Sequence, residues 1–392
     1  MKTVNAHDFR MPANVRIGRG AFETIHDEIA RLAPRTIILV SDKGLEKAGV
    51  VERVLGELAR HSVPVKTYTE ISGEPEFSTL RDTIRFVSEH KGDLVIGIGG
   101  GSALDVAKAS AALADKDEAT VSRILAGNEA PKSRSIRCIL VPTTSGTGSE
   151  VTMNAIFGDP ANNVKRGIVS PCYLPDVAII DPVLTVSCPP LVSAASGVDA
   201  FTHAIESYVS TKATPLTRMY AEKAMRLFAK NIAKAVFNGS DLEGRENMSW
   251  VSFLAGVSLA NAGVGAVHAM AYPLGGRYHV PHGIANALLL PYVFEVTGKT
   301  CVDEMVDIAG FLHLGDFRDK PLQAPDAVTA YLHSLLKHLN LPSTLKELQV
   351  REDDLDVMAE EASRIDRLLV NTPYRLDKDA ILRIYRKAYE GQ

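Results

Sequence analysis

The stretch DLVIGIGGGSALDVAKASAALA, residues 93–114, decides the fold of this chain. It begins with an apolar run of strand length, turns at three consecutive glycines, and continues as a helix. A strand that passes into a helix in this way is one unit of an α/β sheet. Apolar strands that alternate with helices indicate a parallel sheet covered on both faces. The stretch therefore predicts an α/β domain.

The same alternation continues on both sides of this unit. TIILV (36–40), VPVKTYTE (63–70) and RCILVP (137–142) have strand character, and TLRDTIRFVSEHK (79–91) is an amphipathic helix. Strand signals nearly vanish from Leu191 onward. Helices are predicted there at 191–210, 215–237, 243–264, 282–296, 300–313, 325–339, 351–367 and 378–390. We expect a Rossmann-like α/β domain with a parallel sheet (residues 1–186) followed by an all-α domain (187–392).

Composition limits the classes of function. A chain of 392 residues is too long for one core, and 46% hydrophobic with 23% charged residues is ordinary for a globular protein. The net charge of −4 argues against a nucleic-acid surface. The four cysteines show no paired spacing, which favours reduced thiols. MKTVNAHDFRMP has no apolar signal-peptide core, and no run reaches a membrane span of about 18 apolar residues. We expect a cytoplasmic protein with no membrane or nucleic-acid partner.

The glycine turn has the properties of a phosphate site. Gly99, Gly100 and Gly101 remove every β-carbon where the strand ends, so backbone N–H groups are open to an anion at the helix N-terminus. Ser102 can cap the helix and also donate to phosphate. The spacing is not G-x-G-x-x-G, so the ordinary Rossmann fingerprint does not apply. A simple tight turn is the alternative interpretation.

Asp42 follows the first strong strand. A carboxylate there can accept hydrogen bonds from the adenosine ribose and repel a 2′-phosphate, which favours NAD over NADP. A turn aspartate that only caps the next helix is an equally open interpretation from the residues alone.

GVDAFTHAIESY (197–208) carries half of a candidate metal site. Asp199 and His203 are four residues apart, so on a helix they share one face. His268, in GVGAVHAMAYPLGG, and His282, in HVPHG, would complete it. One oxygen and three nitrogen ligands suit Fe(II) or Zn(II) and are poor for magnesium or calcium. The D-x-x-x-H spacing by itself arises often by chance.

Five motifs together carry a family resemblance. GIGGGSALDVAK, VPTTSGTGSEVT, GVDAFTHAIESY, HAMAYPLGG and VPHGIANALLLP closely resemble the iron-containing (group III) alcohol dehydrogenase family, in the family's order and over nearly the whole chain. The resemblance implies an NAD(H)-dependent alcohol dehydrogenase or aldehyde reductase that works in the cleft between its two domains. It implies Fe(II) or Zn(II) as the metal, small primary alcohols, diols or aldehydes as substrates, and a homodimer or larger homo-oligomer.

The resemblance also assigns residues, each by its match to a family motif. The metal ligands are Asp199, His203, His268 and His282. The cofactor residues are Asp42, Gly99, Gly100, Gly101, Ser102, Asp105, Thr143, Thr144, Gly148, Ser149, Lys165 and Leu184, with Lys108 completing the GGGS-x-x-D-x-x-K pattern. The substrate residues are Asn154, Phe253 and Leu259.

The chain departs from the family pattern at one position. Many members carry a second histidine four residues after the first late ligand, and here Tyr272 stands in that place. A phenol, with an ordinary pKa of about 10, is a poorer base than imidazole. His279 is the substitute candidate for a proton relay, with a solvent-facing loop histidine as the alternative. Arg277 is a candidate contact for an anionic substrate, although a surface arginine is the simpler interpretation.

Other functions stay open at this point. A hydroxyacid–oxoacid transhydrogenase, a relative with Tyr-Pro after the late histidine, would keep its nicotinamide bound. A metal-independent maleylacetate-type reductase is disfavoured by the complete ligand set. A dehydroquinate-synthase-like lyase would need a lysine-rich phosphate pocket, and a non-catalytic nucleotide-binding module would not need the metal ligands.

Overall fold

The computed structural model describes residues 7–159 and 164–391. The strands are β1 (Asn14–Ile17), β2 (Ile37–Asp42), β3 (Val65–Ile71), β4 (Leu94–Gly99), β5 (Arg137–Pro142), β6 (Asn154–Asp159), β7 (Val164–Val169) and β8 (Val177–Ile180). The helices of the first half are α1 (Ile25–Leu32), α2 (Lys43–Lys47), α3 (Val50–Leu58), α4 (Phe77–Glu89), α5 (Gly101–Leu113) and α6 (Glu118–Leu125). Those of the second half are α7 (Pro190–Val209), α8 (Pro215–Phe237), α9 (Leu242–Ala262), α10 (Ala266–Tyr278), α11 (His282–Thr297), α12 (Val302–Phe311), α13 (Ala324–His338), α14 (Leu355–Ser363), α15 (Asp366–Leu369) and α16 (Lys378–Glu390).

Six strands form a parallel sheet in the order β1-β8-β5-β4-β2-β3. The chain moves outward from β2 to β3 and then returns to the other side of β2 with β4. The strand order therefore reverses between β2 and β4. In open α/β sheets, the crevice at the carboxyl ends of such strands is where ligands bind. β6 and β7 form a separate antiparallel hairpin.

Alternation along β4 shows how the sheet is covered on both faces. Leu94, Ile96 and Ile98 pack on the face covered by α1 and α3, whereas Val95 packs on the face covered by α4 and α5. Gly97 lets α5 lie against the sheet, because a β-carbon there would be 2.5 Å from the β-carbon of Ala107. Burial on both faces explains why β2, β4 and β5 are continuous apolar runs.

The second half is a helical layer built around α7, which is buried along most of its length. The predicted combination of a parallel α/β sheet and a helical region is confirmed. Among the described residues no single helix is long and apolar enough to span a membrane, although α9 and α10, which meet at a bend of 102°, together have the length and apolar composition of a span. The four cysteines are free thiols.

The structure differs from the sequence prediction in three elements. Helix α10 was not predicted, because its segment is flanked by glycines and contains Pro273, yet it is buried from Ala266 to Gly275. Packing thus stabilises a helix with weak local propensity. The β6–β7 hairpin was also missed. The predicted helix 351–367 is divided, since α14 ends at Ser363 and α15 begins at Asp366.

A close backbone contact joins the two halves. Gly148, with φ +60, lies against α9, where a β-carbon would be 2.7 Å from the Cα of Gly256. We expect Gly148→Ala to lower the free energy of unfolding by about 2 kcal/mol or more, through both the positive φ and the clash. Urea unfolding measures this. The matched control is Gly310→Ala in α12, where a β-carbon meets nothing within 4 Å and the change should stabilise slightly. Equal stability of the two variants would contradict the tight contact.

Candidate active site

A cavity of about 200 Å³ lies between the carboxyl edge of the sheet and the helical layer. Both halves of the chain line it: Ser102 at the start of α5 and Asn154 in β6 belong to the first half, and His203 in α7 and His268 in α10 to the second. Part of the candidate phosphate turn (Gly101 and Ser102) and three of the candidate metal ligands (His203, His268 and His282) therefore line one cavity.

The four predicted metal ligands come together from three helices. Asp199 and His203 are one turn apart on α7, His268 is in the first turn of α10, and His282 begins α11. The Nε2 atoms of His203 and His282 are each 3.8 Å from Asp199 Oδ1, and that of His268 is 3.9 Å away. Atoms that bind one ion at about 2.0–2.2 Å lie at most roughly 4.4 Å apart. These separations fit one ion.

Burial sets the charge of this cluster. It lowers the pKa of His203 and of His282 to about 4, so both rings are neutral near neutral pH and keep a lone pair for a metal. Burial also pushes the pKa of Asp199 upward, but the neighbouring imidazoles and the Asn286 amide outweigh it and hold that pKa below its ordinary value. A single carboxylate among neutral imidazoles is a donor set that fits Fe(II) or Zn(II).

Two residues that sequence reasoning missed surround the ligands. Glu206 accepts a hydrogen bond from Nδ1 of His268 at 2.5 Å and from the backbone N–H of Val267 at 2.7 Å. It thereby fixes the tautomer that leaves the His268 Nε2 lone pair free. The signal was present in the sequence, because Glu206 follows His203 by three residues and so lies on the same helix face.

Asn286 is the second missed residue and is fully buried. Its Nδ2 lies 2.7 Å from Asp199 Oδ1 and 3.1 Å from Nε2 of both His268 and His282. The Asp199 oxygen and the two imidazole nitrogens thus all point at one amide N–H donor, and the same lone pairs could point at a cation. Asn286 follows His282 by four residues, so the sequence spacing indicates that the two side chains lie on one helix face.

The hydrogen bond between His268 and Glu206 leads to a prediction about metal affinity. We expect Glu206→Gln to weaken metal binding by about 10–100-fold, because the carboxylate no longer orients His268 and raises its basicity. Competition with a coloured chelator measures the dissociation constant. Glu222→Gln, which removes a surface partner of Arg226 on α8, is the matched control. An unchanged affinity in Glu206→Gln would show that the hydrogen bond has no role in metal binding.

The predicted cofactor residues lie around the strand-order reversal. Gly99, at the end of β4, has φ +151, and a β-carbon there would be 3.1 Å from Asp42 Oδ2 at the end of β2. Asp42 Oδ1 caps α2 by accepting the N–H of Leu45 at 2.9 Å. Gly100 precedes α5, and Gly101 and Ser102 begin it and line the cavity. Asp42 is thus a helix cap, as the alternative interpretation held, and it also lies beside Gly99 at the carboxyl edge of the sheet.

Asp105 and Lys108 hold the neighbouring loop. The buried Lys108 ammonium donates to the carbonyl and the hydroxyl oxygens of Ser149, at 2.9 and 2.8 Å. The Ser149 hydroxyl in turn donates to Asp105 Oδ1 at 2.5 Å, and the N–H of Ile156 donates to the other carboxylate oxygen at 2.8 Å. The D-x-x-K part of the motif therefore shapes the loop, with Asp105 and Ser149 at the cavity wall.

Three other predicted cofactor residues are close to the sheet. Thr143 is buried and donates its N–H to the carbonyl of Gly99 at 2.9 Å. Thr144 lies beside Gly100, at 3.7 Å from the position of a β-carbon there. Leu184 is buried in the apolar cluster under β4 and β5 and is not part of the described cavity lining.

The substrate and relay candidates are only partly brought together. Asn154, Leu259, Lys165 and Tyr272 line the cavity. Three candidates lie outside its described lining. These are Phe253, buried edge-on against Trp250; His279, the exposed left-handed C-cap of α10; and Arg277, paired with Glu361. The placement of His279 favours the loop-histidine interpretation over the relay. Arg367, which sequence reasoning missed, lines the cavity and donates to the Tyr272 hydroxyl at 2.7 Å.

Glu150, in the same loop as Ser149, is buried with an altered titration. Burial raises the pKa of Glu150 from 4.5 to about 7. The unfolded chain releases this proton first, so the native state loses stability as pH rises from about 4.5 through 7. Each pKa unit corresponds to about 1.36 kcal/mol, so we expect Glu150→Gln to be more stable than the parent by about 3 kcal/mol at pH 8 and by almost nothing at pH 4.5.

Urea unfolding at the two pH values tests this expectation. The exposed Glu52→Gln in α3 is the control, and it should show no pH-dependent gain. A Glu150→Gln variant with the same stability difference from the parent at both pH values would show that this carboxyl titrates normally.

The fold and the site together define a class: an α/β protein whose parallel sheet meets a helical layer at a cleft that contains a cluster of one carboxylate and three imidazoles able to hold a metal ion. Sequence models of the iron-containing alcohol dehydrogenase family match residues 12–182, and of its C-terminal region residues 193–389. The chain belongs to the iron-containing alcohol dehydrogenase family.

Relatives cover essentially the whole chain. It is 39% identical over 381 residues to long-chain-alcohol dehydrogenase 1 of Geobacillus thermodenitrificans, which covers 97% of this chain and 96% of that protein. The crystal structure of a 1,3-propanediol oxidoreductase superposes with a TM-score of 0.91 at 32% identity, covering 98% of this chain and 100% of that one. Sulfoacetaldehyde reductase from Bifidobacterium kashiwanohense, solved with NAD+, superposes with a TM-score of 0.89 at 26% identity, covering 99% and 100%.

Proposed function

We propose that this protein is a metal-dependent, NAD(H)-linked alcohol dehydrogenase or aldehyde reductase for small primary alcohols, diols or functionalised aldehydes. In this proposal residues 1–186 bind the dinucleotide and residues 187–392 bind Fe(II) or Zn(II). The observation that carries it is the single cavity that both the Gly99–Ser102 turn and the Asp199–His203–His268–His282 cluster adjoin. Family membership supports the same chemistry.

The chain's own residues would each do one part of the work. Asp199 and the three imidazoles would hold the metal, Glu206 would orient His268, and the turn beside Ser102 would receive the pyrophosphate at the N-terminus of α5. When bound, the metal would act as a Lewis acid on the substrate oxygen, and the nicotinamide would give or take the hydride. The buried cleft would exclude water from this exchange.

The position of Asp42 supports NAD as the preferred dinucleotide. Its carboxylate stands at the carboxyl end of β2 beside Gly99, where the strand order reverses. In dinucleotide folds an acid at this edge accepts the ribose hydroxyls and disfavours a 2′-phosphate. We infer that NADH is the better substrate.

The test is reduction of aldehydes by protein purified without oxygen. The protein is stripped of metal, reloaded with Fe(II) or Zn(II), and mixed with NADH and a panel of short aldehydes. We expect NADH oxidation only after reloading, with one alcohol formed per NADH consumed. A metal-loaded protein that oxidises no NADH with any aldehyde would overturn the proposal. Nicotinamide that stays bound through purification, with exchange between hydroxyacids and oxoacids, would assign the transhydrogenase reaction instead.

A further inference from the structure

We propose that the substrate is an aldehyde with a negatively charged group, carboxylate, sulfonate or phosphonate, at the end remote from the carbonyl, and that Arg367 binds this group. The inference rests on the proposed function and specifies its substrate class. In the reaction a hydride from NADH forms the C–H bond at the carbonyl carbon and a proton goes to the oxygen. The product is the alcohol and NAD+, and the acidic group is unchanged.

The first observation is a positive charge in the cavity wall without a neutralising partner. Among the described residues, no carboxylate oxygen lies within 4.0 Å of the Arg367 guanidinium. Three other arginines do form ion pairs: Arg364 with Glu360, Arg375 with Asp366, and Arg277 with Glu361. The other cation of the cavity, Lys165, pairs with Glu74. Arg367 is exposed to solvent, so within the described part of the chain it is an unpaired cation at the cavity wall that an anionic group entering from solvent can contact.

The second observation is how Arg367 is held. Its Nη2 donates to the Tyr272 hydroxyl at 2.7 Å, and its guanidinium carbon is 5.4 Å from the centre of that ring. Tyr272 is mostly buried and lines the cavity. A guanidinium has five N–H donors, and Tyr272 takes one, so a fork remains for two oxygens of an acid.

The third observation is the space made for both cations. A β-carbon on Gly167 would be 2.9 Å from Arg367 Nη2, and one on Gly275 would collide with the Lys165 ammonium. The two glycines lie on β7 and α10, which pack against each other. Glycine at these two positions leaves room for the ends of the Arg367 and Lys165 side chains where they lie.

The ligand cluster and Arg367 share one cavity. His203, His268 and His282 line it together with Tyr272 and Arg367. An aldehyde with its oxygen at the ligand cluster and its acidic end at Arg367 would therefore lie within this cavity. Arg277, the sequence candidate for this role, is engaged by Glu361.

Paired aldehydes that differ in charge test the inference. Kcat and KM are measured with NADH for succinic semialdehyde against butanal, and for sulfoacetaldehyde against propanal. We expect the parent enzyme to prefer the charged member of each pair. Arg367→Gln should lose about 10–100-fold in kcat/KM for charged aldehydes, mostly through KM, because it loses the charge-assisted hydrogen bonds to the acidic group. The same variant should lose much less activity on neutral aldehydes, because they present no acidic group to Arg367.

The controls separate recognition from structure. Arg364→Gln, on the same segment but paired with Glu360, should behave as the parent. Arg367→Lys keeps the charge without the fork and should fall between the parent and Arg367→Gln. Equal reduction of charged and neutral aldehydes by the parent, or an equal loss on both in Arg367→Gln, would overturn the inference while leaving the proposed function intact.

A binding measurement covers the case in which the proposed function itself fails. If no aldehyde is reduced, calorimetric titration of the metal-loaded protein with succinate still tests Arg367. Succinate binding that is lost in Arg367→Gln and kept in Arg364→Gln supports an acid-binding cavity. Succinate binding that is equal in the two variants, or absent from the parent, contradicts it.

Discussion

His268→Ala is expected to abolish stoichiometric metal binding and to lower aldehyde reduction by about 1,000-fold or more. His268 is buried, and each of its ring nitrogens has a role: Nε2 lies 3.9 Å from Asp199 Oδ1 and Nδ1 is bonded to Glu206. Lewis-acid stabilisation contributes several kcal/mol, and each 1.36 kcal/mol is a factor of ten in rate. Elemental analysis and NADH oxidation, measured on the same preparation, report the two losses together.

The alanine variant also leaves the Glu206 carboxylate buried beside a space, which can destabilise the fold. His268→Asn removes the imidazole but offers an amide N–H to Glu206, so it separates loss of metal from loss of structure. His338→Ala, at the exposed end of α13, is the control. Full activity in metal-free His268→Asn would overturn the metal centre as the site of reaction.

The sequence predicted most of the fold because the β-strand signal was strong and continuous. Leu94–Gly99 and Ile37–Asp42 are buried on both faces, so nearly every position in them is apolar and local pattern suffices. The elements that were missed depend on contacts between distant segments. The β6–β7 hairpin and α10 have polar, glycine or proline residues that local propensity does not favour, and tertiary packing stabilises them.

The candidate site, like the fold, could be predicted from local sequence patterns only in part. Asp199 and His203 share a helix face by spacing alone, whereas joining them to His268 and His282 needed the family resemblance, because no local rule brings three helices together. The sequence alone could not show whether Arg277 or Arg367 lines the cavity. Arg277 and Arg367 are 90 residues apart, and only the packing of α15 against α10 shows which one faces the cavity and which one is paired with Glu361.

Asp42→Asn is expected to raise kcat/KM for NADPH relative to NADH by about 100-fold or more. Two unit charges 4 Å apart interact by about 4 kcal/mol at an effective dielectric constant of 20, and screening by solvent and salt reduces this. If about 2.7 kcal/mol of this repulsion remains after screening, it corresponds to a 100-fold difference in kcat/KM between NADPH and NADH. Removing the carboxylate removes that repulsion from the 2′-phosphate.

Asparagine is the informative replacement because it separates the two roles of Asp42. Its side-chain oxygen can still accept the N–H of Leu45, and asparagine is as good an N-cap as aspartate. The free energy of unfolding should therefore stay within about 0.5 kcal/mol of the parent. Asp42→Ala loses both roles and should be about 1 kcal/mol less stable.

Asp117→Asn is the matched control. Asp117 caps α6 through the N–H of Thr120, just as Asp42 caps α2, but it does not end a strand of the sheet, whereas Asp42 ends β2 beside Gly99. Its substitution should leave the ratio of NADPH to NADH activity unchanged. If Asp42→Asn also leaves that ratio unchanged while stability is kept, the capping interpretation alone accounts for Asp42. The preference for a dinucleotide must then be set by other residues at the carboxyl edge of the sheet.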